Sequence, residues 1–166
     1  MDPDRLAVLA NKQTERLFTM IALACDHGGF ELMQEVKKLL DDGSYKYKDF
    51  GTYSPESCDY PEIAVRAAHA ITNGECSNGI FICGTGAGMA MVANKIPGVR
   101  AALCADTYTA EMTRRHNDAN VLALGARVTG LGPALRIVET FLDAGFDGGR
   151  HARRVEMINA LDEVKR

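Results

Sequence analysis

Gly79-Ile80-Phe81-Ile82-Cys83-Gly84-Thr85-Gly86-Ala87-Gly88-Met89 is an apolar run of strand character that ends in a cysteine and passes at once into a glycine-rich turn. Such a turn presents successive backbone N–H groups, which hold anionic oxygens and favour a thiolate beside them. Outward from it, short apolar runs alternate with segments of helical period, the pattern of parallel strands joined by helical crossovers. Strands are expected at 20–24, 47–50 (a weaker edge candidate), 79–83, 100–104 and 120–124. Helices are expected at about 30–40, 61–71, 88–95, 108–115 and 133–142, with a last one after His151; Leu32, Val36, Leu39 and Leu40 give the first its apolar stripe. The expected fold is α/β, a single-domain Rossmann-like three-layer sandwich with a five-stranded parallel sheet and a C-terminal helix.

The chain has 166 residues, room for one domain with a substantial core. A formal net charge of -3 supplies no basic field for nucleic acid, and no run approaches the roughly 18 apolar residues of a membrane span. Five cysteines (Cys25, Cys58, Cys76, Cys83, Cys104) match neither paired zinc ligands nor a disulfide framework, which points to a reducing cytoplasm. Residues 1–19 read differently from the body of the chain at 20–166. Their acidic residues argue against a transit peptide, and a short helix, an arm or an extension are all open.

In an open parallel sheet, ligands bind beyond the carboxyl ends of the strands, and the polar residues of this chain fall there. They are Cys25-Asp26-His27, Gly51-Thr52, Cys83-Gly84-Thr85, Asp106 and Gly125-Ala126-Arg127. Cys83 alone reads as core, because free cysteine is usually buried; beside Gly84, Gly86 and Gly88 it reads as chemistry. The loop could instead serve a nucleotide, with Asp106 about 20 residues on as a ribose-binding acid, or simply pack helix on strand. Asp26 could fix the tautomer of His27 for acid–base work, or cap a helix with His27 in solvent. Arg114-Arg115-His116-Asn117 end a helix, where cations suit the dipole. Arg150, His151 and Arg154 open a helix, where cations oppose the dipole unless an anion joins them, and with Arg127 they suggest a phosphate clamp, a basic surface turn being the plainer alternative.

From Met20 to about Val164 the chain resembles the type B ribose-5-phosphate isomerases, whose superfamily also holds the galactose-6-phosphate isomerase subunits. The motifs are CDHGGF (25–30), DYP (59–61), ICGTGAGM with ANK (82–95), PGVRAALC (97–104), RRHNDANVLALGAR (114–127) and GGRHARR (148–154). The resemblance implies an aldose–ketose isomerase that interconverts ribose 5-phosphate and ribulose 5-phosphate with no metal and no organic cofactor. It also implies a homodimer or dimer of dimers with shared active sites. Cys83 would be the base moving a proton between carbons 2 and 1, and Thr85 the shuttle between sugar oxygens. Asp26 and His116 would assist ring opening, with His116 and Asn117 supplied by the partner subunit. His27, Arg127, Arg150, His151 and Arg154 match phosphate- or substrate-contacting positions, Tyr60 lies near the ring, and Gly84, Gly86, Gly88 and Asn94 lie around the enediolate. Cysteine at 83 with Met89 after the loop matches the cysteine branch rather than the branch with a glutamate base. The single-chain HND and GGRHxxR pattern favours a five-carbon substrate, with allose 6-phosphate, galactose 6-phosphate and tetrose phosphates as alternatives.

Overall fold

The computed structural model describes residues 19–164; the expectations for 1–18 lie outside them. Five strands, β1 (Met20–Cys25), β2 (Lys46–Asp49), β3 (Asn78–Cys83), β4 (Ala101–Leu103) and β5 (Val121–Gly125), form one parallel sheet in the order β2-β1-β3-β5-β4. Six helices connect and follow them: α1 (Phe30–Asp42), α2 (Tyr60–Thr72), α3 (Ala87–Ala93), α4 (Thr107–Asn117), α5 (Leu131–Asp143) and α6 (Arg150–Val164). Five parallel strands with helices on both faces match the sequence expectation. Boundaries move by at most two residues, and one shift matters: α4 runs on through His116 and Asn117, so both belong to its last turn.

The period-2 alternation of strand side chains sorts the core into two layers. Ile21, Leu23, Ile80, Ile82, Leu122 and Leu124 face α1, α4 and α5, where Met33, Val36, Leu40 and Phe141 fill the gap. On the other face, Ala22 and Ala24 meet the alanines of α2 (Ala64, Ala67, Ala68), while Phe81 and Cys83 point toward α2 and α3. Small residues on both sides let α2 approach β1 closely, which sets its first residue, Tyr60, beside the start of α3.

Strand order reverses between β1 and β3, since the chain leaves β1 toward β2 and returns to build outward from β3. Loops that diverge from neighbouring strands leave a crevice at that point, on the carboxyl side. Asp26-His27 follow β1 and Cys83-Gly84-Thr85 follow β3, so the fold itself puts these residues at its crevice.

Candidate active site

Backbone contacts weld three loops together at the carboxyl edge. The Asp26 N–H donates to Ile82 O (3.2 Å), the Ala126 N–H to Cys83 O (2.9 Å) and the Arg127 N–H to Gly84 O (3.0 Å). Glycine is required where they touch. A Cβ on Gly29 would lie 2.5 Å from Ile82 O, one on Gly125 2.6 Å from Thr85 O, and one on Gly28 3.1 Å from Gly84 N. Arg127 lies across Gly84, its Nη1 3.4 Å from where a Cβ would be, and the Tyr60 ring covers Gly88. Cys83, Gly84, Thr85, Gly86, Gly88, Asp26, His27, Tyr60 and Arg127 are thereby gathered at one place.

Within this group the Gly86 N–H donates to the Cys83 sulfur at 3.1 Å, a contact that stabilises negative charge on sulfur. The N–H groups of Gly84 and Thr85 donate to no group among the described residues, leaving two donors next to the thiol. The Thr85 hydroxyl is exposed and accepts a long bond from the Ala87 N–H (3.4 Å). Asp26 is buried, with one carboxylate oxygen accepting from the Gly29 N–H (3.1 Å). It closes a turn ahead of α1 and is not the helix N-cap, which is Gly29. His27 is half-buried: its Nδ1 accepts from the Cys58 N–H at 3.3 Å, which leaves Nε2 as the donor. His27, Arg127 and Thr129 also line an open cavity of about 770 Å³, and the buried Thr129 hydroxyl has no protein partner there.

The loop depends on Gly86, whose φ of +78° is left-handed and whose Cβ would sit 2.7 Å from the Leu124 carbonyl carbon. Gly86→Ala is expected to destabilise the fold by on the order of 3 kcal/mol, combining backbone strain with steric conflict. A denaturant midpoint equal to that of the unsubstituted chain would contradict this.

The other thiols differ. Burial first, then the Asp49 charge, pushes Cys25 up to about 12. Burial, then Asp106, pushes Cys104 up to about 11, and burial, then Glu75, raises Cys76. These three are core side chains that resist ionisation.

His116, Asn117, Arg150, His151 and Arg154 are elsewhere. Helix α4 starts beyond β4's carboxyl end and hands over to the amino end of β5, so His116 and Asn117 lie at the amino edge of the sheet. Gly79 is in register with Val121 and Cys83 with Gly125; that length of strand, about 13 Å, separates the two edges. The expected clamp of Arg127 with Arg150 and Arg154 is therefore split within one chain, because Arg127 follows a strand whereas the other two follow a helix. At the amino edge the rings of His116 and His151 stack at 4.3 Å and 4°. Arg127, Arg150 and Arg154 form no ion pair among the described residues. His116, Asp147 and His151 bring ligand-type atoms within 4.8 Å of one another, a donor set that zinc accepts. Arg150, Arg154 and Arg115 crowd the same spot with positive charge, which suits an anion better.

Two further candidates are engaged by bonds of their own. Asn94, expected around the enediolate, caps the far end of α3; its amide donates to Ala101 O (2.9 Å) and accepts from the Ala101 N–H (2.8 Å). It serves β4 and not the glycine loop. Asp106, the ribose acid of the nucleotide alternative, caps α4 by accepting from the Thr109 N–H (2.7 Å) and hydroxyl (2.8 Å), and the backbone bond leads in holding its carboxyl below the usual range. Sequence reasoning also missed Asp147, which sits in an irregular connection with no periodic signal; its only cue was its place just before Gly148-Gly149-Arg150.

A family model described as Ribose/Galactose Isomerase matches residues 21–158. The chain belongs to this family. The ribose-5-phosphate isomerase B of Escherichia coli K12 is 47% identical over 143 residues, covering 86% of this chain and 96% of the relative. A D-erythrulose-4-phosphate isomerase of Pectobacterium atrosepticum is 44% identical over 148 residues, covering 88% and 97%. Among solved structures of the ribose/galactose isomerase family, ribose-5-phosphate isomerase B of Clostridium thermocellum superposes with a TM-score of 0.88 at 49% identity, covering 89% of this chain and all of that one. Residues 1–18 precede the span that the family model matches.

Proposed function

We propose that this chain interconverts D-ribose 5-phosphate and D-ribulose 5-phosphate, with Cys83 as the base. The observation that carries this reading is the sulfur at the sheet crevice, held by the Gly86 N–H and flanked by the unused N–H groups of Gly84 and Thr85. On an open-chain aldose, the thiolate takes the hydrogen from carbon 2. Its electron pair forms the carbon 1–carbon 2 double bond, and the carbonyl π electrons move onto oxygen 1. That oxygen gains charge where the loop amides point, and each preorganised donor of this kind contributes about 2.7–4 kcal/mol to the transition state. The Thr85 hydroxyl relays a proton between oxygens 1 and 2, and Cys83 returns its proton to carbon 1 to complete the ketose. Asp26 has a second carboxylate oxygen available for ring opening, with His116 as the other participant. The Nε2–H of His27 and the guanidinium of Arg127 suit the phosphate, beside the cavity they line.

The remaining groups come from a second copy. His116, Asn117, Arg150, His151 and Arg154 lie at the opposite edge from Cys83, so a symmetric dimer that lays one subunit's amino edge on the other's carboxyl edge completes two sites at once. Exposed apolar side chains support such a contact: Leu103 and Tyr108 where β4 meets α4, and Met157, Ile158 and Leu161 along α6. No helix among the described residues is long and apolar enough to cross a membrane, and five free thiols suit a reducing cytoplasm.

Purified chain should convert ribose 5-phosphate to the ketose and exchange the carbon 2 hydrogen with deuterated solvent. Absence of both would overturn the assignment. The D-erythrulose-4-phosphate isomerase relative favours a tetrulose phosphate as the second reading. A panel of ribose, allose, galactose and erythrulose phosphates ranks them by kcat/KM. Arg150→Ala and Arg154→Ala are each expected to raise KM about tenfold with kcat little changed, the size of one charge-assisted hydrogen bond to phosphate. Unchanged KM in both variants would remove these arginines from the site.

A further inference from the structure

Asp118 turns the chain out of α4 in a left-handed conformation (φ +45°), which a residue with a Cβ adopts only where its surroundings hold it there. The turn leaves the carbonyls of Asn117 and Asp118 without helical partners. Arg100, at the amino end of β4, takes both, donating from Nε to Asn117 O (3.2 Å) and Asp118 O (3.0 Å) and from Nη2 to Asp118 O (2.7 Å). Arg114 donates from Nη1 to Ala119 O (2.6 Å), one residue further on. The Asp118 carboxylate lies between the two arginines, accepting from Arg100 Nη2 at 3.0 Å and from Arg114 Nη1 at 3.2 Å. Both guanidiniums are mostly buried, so each bond is charge-assisted and shielded from water.

The same guanidinium reaches α6. Arg100 Nη1 donates to Asn159 Oδ1 (3.1 Å), and the nearby Gly98 N–H donates to the Asp162 carboxylate (2.7 Å), also on α6. The backbone of this segment is fixed in turn by Asn120, whose Oδ1 accepts from the Arg100 N–H (2.8 Å) and whose amide donates to Gly98 O (2.9 Å). Helix α4 ends in His116 and Asn117, and α6 opens with Arg150, His151 and Arg154. Those are the amino-edge residues that the proposed dimer delivers to its second subunit, and Arg100 is bonded to both helices that carry them. A lysine ammonium, a point charge with three donors, cannot span a main-chain turn, a carboxylate and a side-chain amide at once.

We propose that Arg100, clamped to Asp118, is a positioning residue for the site of the second subunit: it sets where His116 and Asn117 stand relative to the arginines of α6. This rests on the isomerase reading above, in which both groups enter that site. Arg100 acts through the ends of the helices and not on the sugar. In that reading His116 serves ring opening, whereas Cys83 and the glycine loop of the other subunit move the proton between carbons. A misplacement of about 1 Å costs a catalytic group on the order of a hundredfold in rate, so replacing Arg100 should slow the first step and spare the second.

The test uses Arg100→Lys, which keeps the charge and loses the fork, and Asp118→Gly, which keeps the left-handed turn and loses the carboxylate. With ring-closed ribose 5-phosphate at saturation, kcat of Arg100→Lys is expected to fall about tenfold or more, and that of Asp118→Gly by less. Ribulose 5-phosphate has no ring to open, because its oxygen 5 carries the phosphate. Exchange of its carbon 1 hydrogen with deuterated solvent should therefore stay within about twofold of the unsubstituted chain. General loosening would slow both reactions alike, and equal losses would overturn the proposal. Dimers reassociated from Arg100→Lys and Cys83→Ala chains should regain about a quarter of the unsubstituted activity, against about a twentieth if Arg100 served the site of its own chain. No gain, with mixed dimers present, would also overturn it. Should Arg100→Lys not fold, Asp118→Gly supplies both measurements. An unsubstituted chain without isomerase activity sinks the isomerase reading and this proposal together; an active one with unaltered Arg100→Lys kinetics sinks the proposal alone.

Discussion

Cys83→Ala is expected to abolish isomerisation, with kcat for ribose 5-phosphate falling by roughly 10²–10⁴, the range that a positioned general base supplies. Deuterium exchange at carbon 2 should vanish with it, because the thiol that accepts from the Gly86 N–H is the group removed. Cys25 and Cys104 face the core and resist ionisation, and Cys76 is buried beside Glu75. The fold should survive. Cys83 packs at the rim of the alanine-rich layer, and removal of one sulfur there leaves Phe81, Met89 and the α2 contacts in place. Sugar phosphate should still protect the variant against thermal unfolding, since His27, Arg127 and the arginines at the opposite edge are untouched. Turnover at the unsubstituted rate would show that the hydrogen leaves to another group.

Activity is expected to return when two impaired variants are combined. Cys83→Ala lacks the base at the carboxyl edge. His116→Ala lacks a group at the amino edge and should lose roughly a hundredfold in turnover of the ring-closed substrate. Mixed in equal amounts, dissociated in mild denaturant and reassociated, half of the dimers hold one subunit of each kind. Such a dimer has one site with both substitutions and one with neither, so activity should climb from near zero to about a quarter of the unsubstituted level. The Arg150→Ala chain should complement Cys83→Ala in the same way. No recovery, with mixed dimers demonstrated by native mass spectrometry, would mean that each chain builds its site alone.

Much of this architecture was legible beforehand. Strands such as Gly79–Cys83 are buried on both faces and read as continuous apolar runs, and the glycines after them mark the turns that bring loop against loop. The carboxyl-edge residues followed directly, since anything immediately after a parallel strand lands there. The same logic could have separated Arg127 from Arg150 and Arg154: a residue ending a crossover helix must return to the amino edge, as His116 does. Motif content alone did not convey that separation, because adjacency in a recognised pattern carries no information about which end of a strand a residue occupies. Asn94 and Asp147 were harder for a different reason. Each acts through bonds to backbone or arginine many positions away in space or sequence, and such pairings have no period to detect.

The bidentate contact between Asn94 and Ala101 has a consequence for how these molecules associate. In β4, Arg100 O and the Cys104 N–H engage β5, which leaves Ala101 and Leu103 presenting their main-chain groups outward. The asparagine amide occupies Ala101 as a neighbouring strand would, so the open margin on the β4 side of the sheet shrinks to a single residue. On that side a foreign ribbon finds little to zip onto, and contacts along the margin fall to side chains such as the exposed Leu103.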